Sequence, residues 1–261
     1  MPNTIHPTAI IANGAQLGEN VVVGPYCVIG PDVKIGDGTT LQSHAVIDGH
    51  TTIGKRCEIF PFACVGMKTQ DLKYAPGNAT FVEIGDDNVI REYATIHLGT
   101  KDGEVTKVGS NCLIMSHCHV AHGCVLGNHV IMSSAAMIAG EVSIEDYAIL
   151  GGKCGVHQFC RIGTHAMVGG MASIRQDVPP YMIVDGNPAE TQAPNSVGLQ
   201  RRGFSAESRA ALKDAFRILY REGLNRTQAI ERIQYEVVDL PEIQRLVAFY
   251  KTSQRGVLRC F

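Results

Sequence analysis

A six-residue recurrence of aliphatic side chains, small residues four places after them, and a late change to helical spacing predict a mainly β protein: a left-handed parallel β-helix of hexapeptide repeats with a C-terminal α-helical domain. Aliphatic residues fall on every sixth position from Ile5 to Val65, again at Ile84, Ile90 and Ile96, and then from Val108 to Ile174. Of these 26 positions, 25 are Ile, Leu or Val, and the other is Met132. That period fits neither a helix, at about 3.6 residues per turn, nor a long alternating strand. It fits short straight segments separated by corners, three of which close a triangular coil of about 18 residues.

The elements follow in order. The run from Ile5 to Val65 supplies the first coils. Residues 67–83, MKTQDLKYAPGNATFVE, leave the repeat as a polar excursion, and residues 98–107, LGTKDGEVTK, form a second. Loops carried by a rigid scaffold are favoured places for binding groups. From Val108 to Ile174 the repeat is unbroken, so residues one coil apart are expected to stack about 4.8 Å from each other. Pro179, Pro180, Pro188 and Pro194 mark its end. Leu212, Ala215, Phe216 and Leu219 then recur at helical spacing, predicting a helix from 205 to about 222 with Ser205 as N-cap and Gly223 as stop. A second helix from Thr227 carries Ile230, Ile233 and Val237, and a last one begins near Pro241. The expected domains are a rod over 1–190 and a helical domain over 191–261 packed on its end.

With the aliphatic residue counted as first in each hexad, the fifth position is small and expected to point inward. Seven of the nine cysteines occupy it: Cys27, Cys57, Cys112, Cys118, Cys124, Cys154 and Cys160. They read as small core residues rather than ligands or nucleophiles. An odd cysteine count behind a start without a basic and apolar leader implies reduced thiols. No segment approaches the roughly 20 apolar residues that span a bilayer, so a cytoplasmic protein without a transmembrane segment is expected. Net charge is −2, yet residues 1–199 hold 11 Lys and Arg against 18 Asp and Glu, whereas 200–261 hold 12 against 7. A basic tail on an acidic body can dock an acidic partner, although solvated helix faces explain it equally.

Histidines are the chemically informative residues. His44, His50, His117, His129 and His165 fall on the fourth hexad position, which is expected to be an outward corner. His122 instead holds the third position, with Gly140 one coil on and Gln158, beside His157, two coils on. These groups are expected to line one outer wall within about 10 Å, joined by His119 from the preceding corner. A neutral imidazole can take a proton from a substrate hydroxyl. A backbone N–H at Gly140, with no side chain in the way, can stabilise the oxyanion formed when that oxygen attacks an acyl carbon.

The words HPTAI, QDLKY, RE with TIH, HVAHGC, VHQF, MVGG, DVPPY and GLQRRGF run in this order over nearly the whole chain. In them the sequence closely resembles the UDP-N-acetylglucosamine O-acyltransferases of lipid A biosynthesis. The resemblance implies transfer of a (3R)-3-hydroxyacyl chain from acyl carrier protein to the 3-hydroxyl of UDP-N-acetylglucosamine, with no metal or redox cofactor and no nucleic-acid partner. It implies that His122 is the general base and the Gly140 amide the oxyanion donor. By the same resemblance Asp71, Lys73, His97, His119, His157 and Gln158 surround the sugar, phosphates and thioester arm. Asn195, Arg201 and Arg202 contact the nucleotide, and Gly170 is the position whose bulk limits acyl length. The family is a homotrimer with sites between adjacent rods. Two positions depart from its pattern: Glu141 stands where histidine is frequent, and Leu98 where arginine is common.

Two enzyme alternatives remain open at this point. His97, His117 and His122 resemble the zinc triad of γ-class carbonic anhydrases, which share the β-helix. An N-acyltransferase of the same pathway, or an acetyl-CoA-dependent hexapeptide acetyltransferase, is the nearer rival. Against them stand QDLKY and RRGF, and a repeat that begins with the first residues rather than after a separate uridine-binding domain. A binding-only rod would have no need of the polar wall around His122.

Overall fold

The computed structural model describes residues 2–259 and contains the expected rod. Its strands, mostly two residues long, form sheets of 11, 9 and 8 strands that the chain visits in rotation; they are called here the first, second and third sheets. Direct stacking holds along the unbroken run: Ile114 pairs with Met132, Met132 with Leu150, and Leu150 with Val168, all in parallel. The first-position side chains fill the interior, with Ile59, Ile114 and Leu150 fully buried. Truncating such a residue to Ala costs about 2–5 kcal/mol. The seven fifth-position thiols are buried as well.

Both excursions are spliced into coils that keep their register, since Ile53 pairs with Ile84 and Ile84 with Val108. They are shorter than expected, because the flanking residues of each join the sheets as strands Cys64–Met67, Phe81–Ile84, Thr95–His97 and Val105–Val108. The loops proper are therefore 68–80 and 98–104, and they are tied together. Thr69 Oγ1 lies 3.2 Å from Thr100 Oγ1, Asn78 Nδ2 donates to Thr100 O at 2.9 Å, and the Ala79 N–H donates to Asp102 Oδ1 at 2.8 Å.

The fourth hexad position is a corner in the left-handed backbone region, as at Tyr26, His44, Phe62, Tyr93 and His117. Each such non-glycine residue costs roughly 1–2 kcal/mol. The cost is offset by corner hydrogen bonds, such as His117 N–H to Glu92 O at 3.0 Å, and by stacking of successive corner rings. His44 stacks on Phe62 at 4.8 Å, Tyr93 on His117 at 4.9 Å, and on another edge His129 on Tyr147 at 4.5 Å and Tyr147 on His165 at 4.8 Å. The corner histidines are thus rungs of aromatic ladders rather than isolated solvated side chains. His50 departs from the pattern: Gly49 takes the left-handed turn, with φ 59°, and His50 opens the strand His50–Ile53.

The first sheet continues past the expected boundary at 190. Met182–Gly186 joins it in parallel, and Ala189–Pro194 adds the one antiparallel strand among the described residues. Four helices follow: α1 (Ser196–Arg201), α2 (Ala206–Tyr220), α3 (Arg226–Glu236) and α4 (Pro241–Thr252). Ser205 caps α2 by accepting from the Ser208 N–H, and Asn225 closes a capping box at α3 with Gln228. Leu199, Leu212, Ile218, Ile230, Ile233, Leu246 and Phe249 form a second core with Met182. The tail then returns to the rod. Asp177, only 1% exposed, accepts from the Arg161 N–H and from Ser253 Oγ, while the Leu258 N–H donates to Asp177 O. No helix among the described residues is long and apolar enough to cross a membrane.

Candidate active site

His122 follows the second-sheet strand His119–Val120 and precedes the third-sheet strand Val125–Leu126, on the edge of the rod that both excursions overhang. Stacking places its ring directly over Gly140. A Cβ built at Gly140 would come within 2.2 Å of His122 Nε2, so only glycine admits the imidazole in this position. Gly140 is buried, and among the described residues its N–H has no acceptor. Gly140 lines the cavity beside this ring, so its N–H is open to an acceptor that arrives with a ligand.

Three carboxylates surround the ring. Asp71 Oδ2, from the first excursion, lies 3.5 Å from Nε2, and Glu104 Oε2, from the second, lies 3.7 Å from Nδ1. Glu141, in the corner after Gly140, is paired with Lys101 Nζ at 3.0 Å. Together Glu104, His122 and Glu141 bring potential ligand atoms within 4.8 Å of one another, but Lys101 already answers Glu141.

His122 stands between two cavities. One, of about 690 Å³, is lined along the second sheet by His97, His119, Met137, Ala139, Gly155, Val156, His157, Gln158 and Ser173, and by Asp71 and Lys73 of the first excursion. The other, of about 420 Å³, is bounded by Lys73, Asn78, Lys101, Glu141 and Gln158. In the first, His97 is 6% exposed and meets the His119 ring edge-on at 4.8 Å. His119 Nδ1 is 2.7 Å from Thr95 Oγ1. Burial lowers the pKa of His119 to about 4, with the nearby His97 and His122 adding to the effect. Burial, then the proximity of His122, also lowers that of His97. Both are therefore neutral hydrogen-bonding groups near neutrality.

Eight of the expected site residues meet here: Asp71, Lys73, His97, His119, His122, Gly140, His157 and Gln158. The others do not. Asn195 caps α1, accepting from the Gly198 N–H and donating to His165 O at 3.0 Å. Arg201 ends that helix, and Arg202 lies over the Tyr147 ring at 4.5 Å. Tyr147 and His165 occupy the edge between the third and first sheets. Gly170 lies on the remaining edge, between Met167–Val168 of the first sheet and Ser173–Ile174 of the second. The predicted base, nucleotide and acyl-length groups thus stand on three different edges of one rod.

Within one rod His117 does not join His97 and His122. His117 is stacked on Tyr93 at the corner before the second sheet, whereas His122 is at the corner after it. Sequence reasoning did not single out Glu104, Lys101 or Thr95 as site residues. Glu104 and Lys101 lie in the polar excursion 98–107, which was the available signal.

Comparisons with known proteins agree in direction. Residues 177–258 match the family described as Udp N-acetylglucosamine O-acyltransferase, Domain 2, and residues 14–49 and 106–140 match the bacterial transferase hexapeptide repeat. The acyl-[acyl-carrier-protein]–UDP-N-acetylglucosamine O-acyltransferase of Chlamydia caviae is 52% identical over 98% of this chain and 91% of its own. The UDP-N-acetylglucosamine acyltransferase structure of Bacteroides fragilis superposes with a TM-score of 0.96 at 40% identity, covering 98% of this chain and 100% of that one. That of Francisella novicida gives 0.95 at 40% identity, covering 98% and 94%.

Proposed function

The chain belongs to the family of acyl-carrier-protein-dependent UDP-N-acetylglucosamine O-acyltransferases, and from that premise we propose that His122 is the base that drives acyl transfer in the first step of lipid A biosynthesis. The donor is a (3R)-3-hydroxyacyl thioester of acyl carrier protein and the acceptor is the 3-hydroxyl of UDP-N-acetylglucosamine. The observation that carries the reading is the pairing of a ring nitrogen with a free amide: Nε2 of His122 lies over Gly140, whose N–H is uncommitted among the described residues.

The sugar oxygen attacks the thioester carbon while its proton passes to Nε2. Negative charge develops on the former carbonyl oxygen, where the preorganised Gly140 N–H receives it without reorganisation. Collapse breaks the carbon–sulfur bond, and the imidazolium returns the proton to the departing thiolate of the carrier protein. The two cavities suit two substrates. The wall of Met137, Ala139, Gly155 and Val156 suits an apolar chain, and Lys73, Asn78 and Lys101 suit a sugar nucleotide.

Three copies assemble in this reading, which would let groups on different edges of neighbouring rods meet. Its support is the three-edge placement of Gly140, Arg202 and Gly170, together with exposed apolar side chains at Ile10, Leu72 and Met137. Arg201 and Arg202 then hold the nucleotide of a neighbour's site, and the basic C-terminal segment receives the acidic carrier protein. The cytoplasm, where buried thiols stay reduced, is the expected compartment.

The test is acyl transfer by purified protein from a 3-hydroxyacyl carrier protein to UDP-N-acetylglucosamine, with its 3-amino analogue as competitor. His122→Ala is expected to lower kcat by about 10²–10⁴-fold. Equal rates in the two proteins would refute the base assignment, and preferential acylation of the amine would refute the acceptor.

A further inference from the structure

For Nε2 to accept a proton, the resting ring must carry its hydrogen on Nδ1. That atom is buried and has no hydrogen-bond partner among the described residues. A buried N–H facing nothing is disfavoured, so the tautomer needed for catalysis requires an acceptor close by. Resting on the assignment of His122 as base, we propose that Glu104 is the positioning residue that supplies it, holding the imidazole in the Nδ1–H tautomer and accompanying the imidazolium once it forms.

The surroundings of Glu104 are consistent with that role. Its side chain is 14% exposed against 15% for His122, so the pair is largely shielded from water. Oε2 is 3.7 Å from Nδ1, about half an ångström beyond a normal hydrogen bond, and such bonds commonly tighten when substrate binds. Oε2 also accepts from the Thr100 N–H, which fixes the carboxylate within its loop. Gly123, with φ 63°, keeps the space open: a Cβ there would lie 2.9 Å from Glu104 Oε1.

The two other carboxylates are placed differently. Glu141 is engaged by Lys101, and Asp71 faces Nε2, the wrong nitrogen for orienting a base. If Asp71 alone governed the ring, Nε2 would hold the proton and the sugar hydroxyl would meet no base. Glu104 therefore decides the tautomer. The second excursion, which brings Glu104 from one coil and Lys101 to the next, acts as the brace of the catalytic histidine.

The test combines kinetics of Glu104→Gln and Glu104→Asp with ¹⁵N spectroscopy of histidine-labelled full-length protein. Gln retains an oxygen for the Thr100 N–H but no charge for Nδ1–H. Glu104→Gln is expected to lower kcat by about 10- to 100-fold, with KM for both substrates changed by less than about twofold, and Glu104→Asp to recover part of the loss. The His122 spectrum is expected to show the Nδ1–H tautomer in wild type and a shift toward Nε2–H in Glu104→Leu, which offers Nδ1–H no acceptor. Wild-type turnover by Glu104→Gln would overturn the proposal, as would an Nε2–H tautomer in the unsubstituted protein, a measurement that does not depend on any variant folding. A failed base assignment would instead show as activity in His122→Ala, with the wild-type tautomer unaffected.

Discussion

Gly140→Ala tests the site without touching any polar group. The added Cβ would lie 2.2 Å from Nε2 and 2.4 Å from Cε1 of His122, whereas van der Waals contact needs about 3.5 Å. The ring must therefore move by about 1.3 Å, or the coil must open by the same amount. Opening the coil is resisted by the Glu141 N–H to His122 O bond at 2.9 Å and the Phe159 N–H to Gly140 O bond at 3.1 Å, which fix the corners above and below. The ring is the softer element, with its nitrogens 3.5 and 3.7 Å from the Asp71 and Glu104 carboxylates. A displacement of about 1 Å at a reacting group costs on the order of 10²-fold in rate. The expected result is a kcat/KM loss of about 100-fold, with the 140 amide retained and a melting temperature close to wild type, since φ at 140 lies outside the positive-φ region. The assay is initial-rate acyl transfer beside thermal unfolding. A folded Gly140→Ala protein within about threefold of wild-type activity would refute the claim that His122 must sit over this glycine to act.

A Cβ at Gly170 would meet only Gly152 O, at 3.5 Å, so bulk there leaves the rod intact. Without a side chain at 170 a long acyl chain is expected to fit, and Gly170→Met is expected to favour shorter donors; comparable wild-type turnover of ten- and fourteen-carbon donors would remove the basis for this. Stability is expected to fall in acid before the carboxylates titrate. His119 and His165 have folded pKa values lowered to about 4 from 6.5, each mainly by burial, with Arg202 and Arg245 adding at His165. Between those values the unfolded chain binds protons that the folded one does not, so the stabilisation present above about pH 6.5 is lost progressively toward pH 4. Thermal melts across this window check the sign, and a flat melting temperature would contradict it.

The rod was legible because its physics is one-dimensional. Each coil repeats the same demands, an aliphatic residue inward and a small one at the next corner, so Ile114, Met132 and Leu150 announce their own stacking. The same arithmetic placed His122 over Gly140, because residues one coil apart can only be neighbours. What escaped the sequence lies where that arithmetic stops. Gly49 moved one corner by a residue and put His50 into a strand, a shift that a six-residue count cannot register. The hairpin ending at Pro194 and the short helix α1 have no period at all.

The largest gap concerns the excursions. Their polar composition marked them as functional, but a loop has no repeat to say which of its side chains reaches back. Asp71 and Lys73 could be named only through a resemblance, and Glu104, outside the words that carry it, could not. Yet Asp71 and Glu104 flank opposite nitrogens of one imidazole. The repeat therefore fixes where the proposed base and oxyanion donor stand, and in the proposed mechanism the two insertions determine which way the base faces. Departures from a hexapeptide rod near a stacked His and Gly are accordingly the places to look for what makes a bare β-helix wall catalytic.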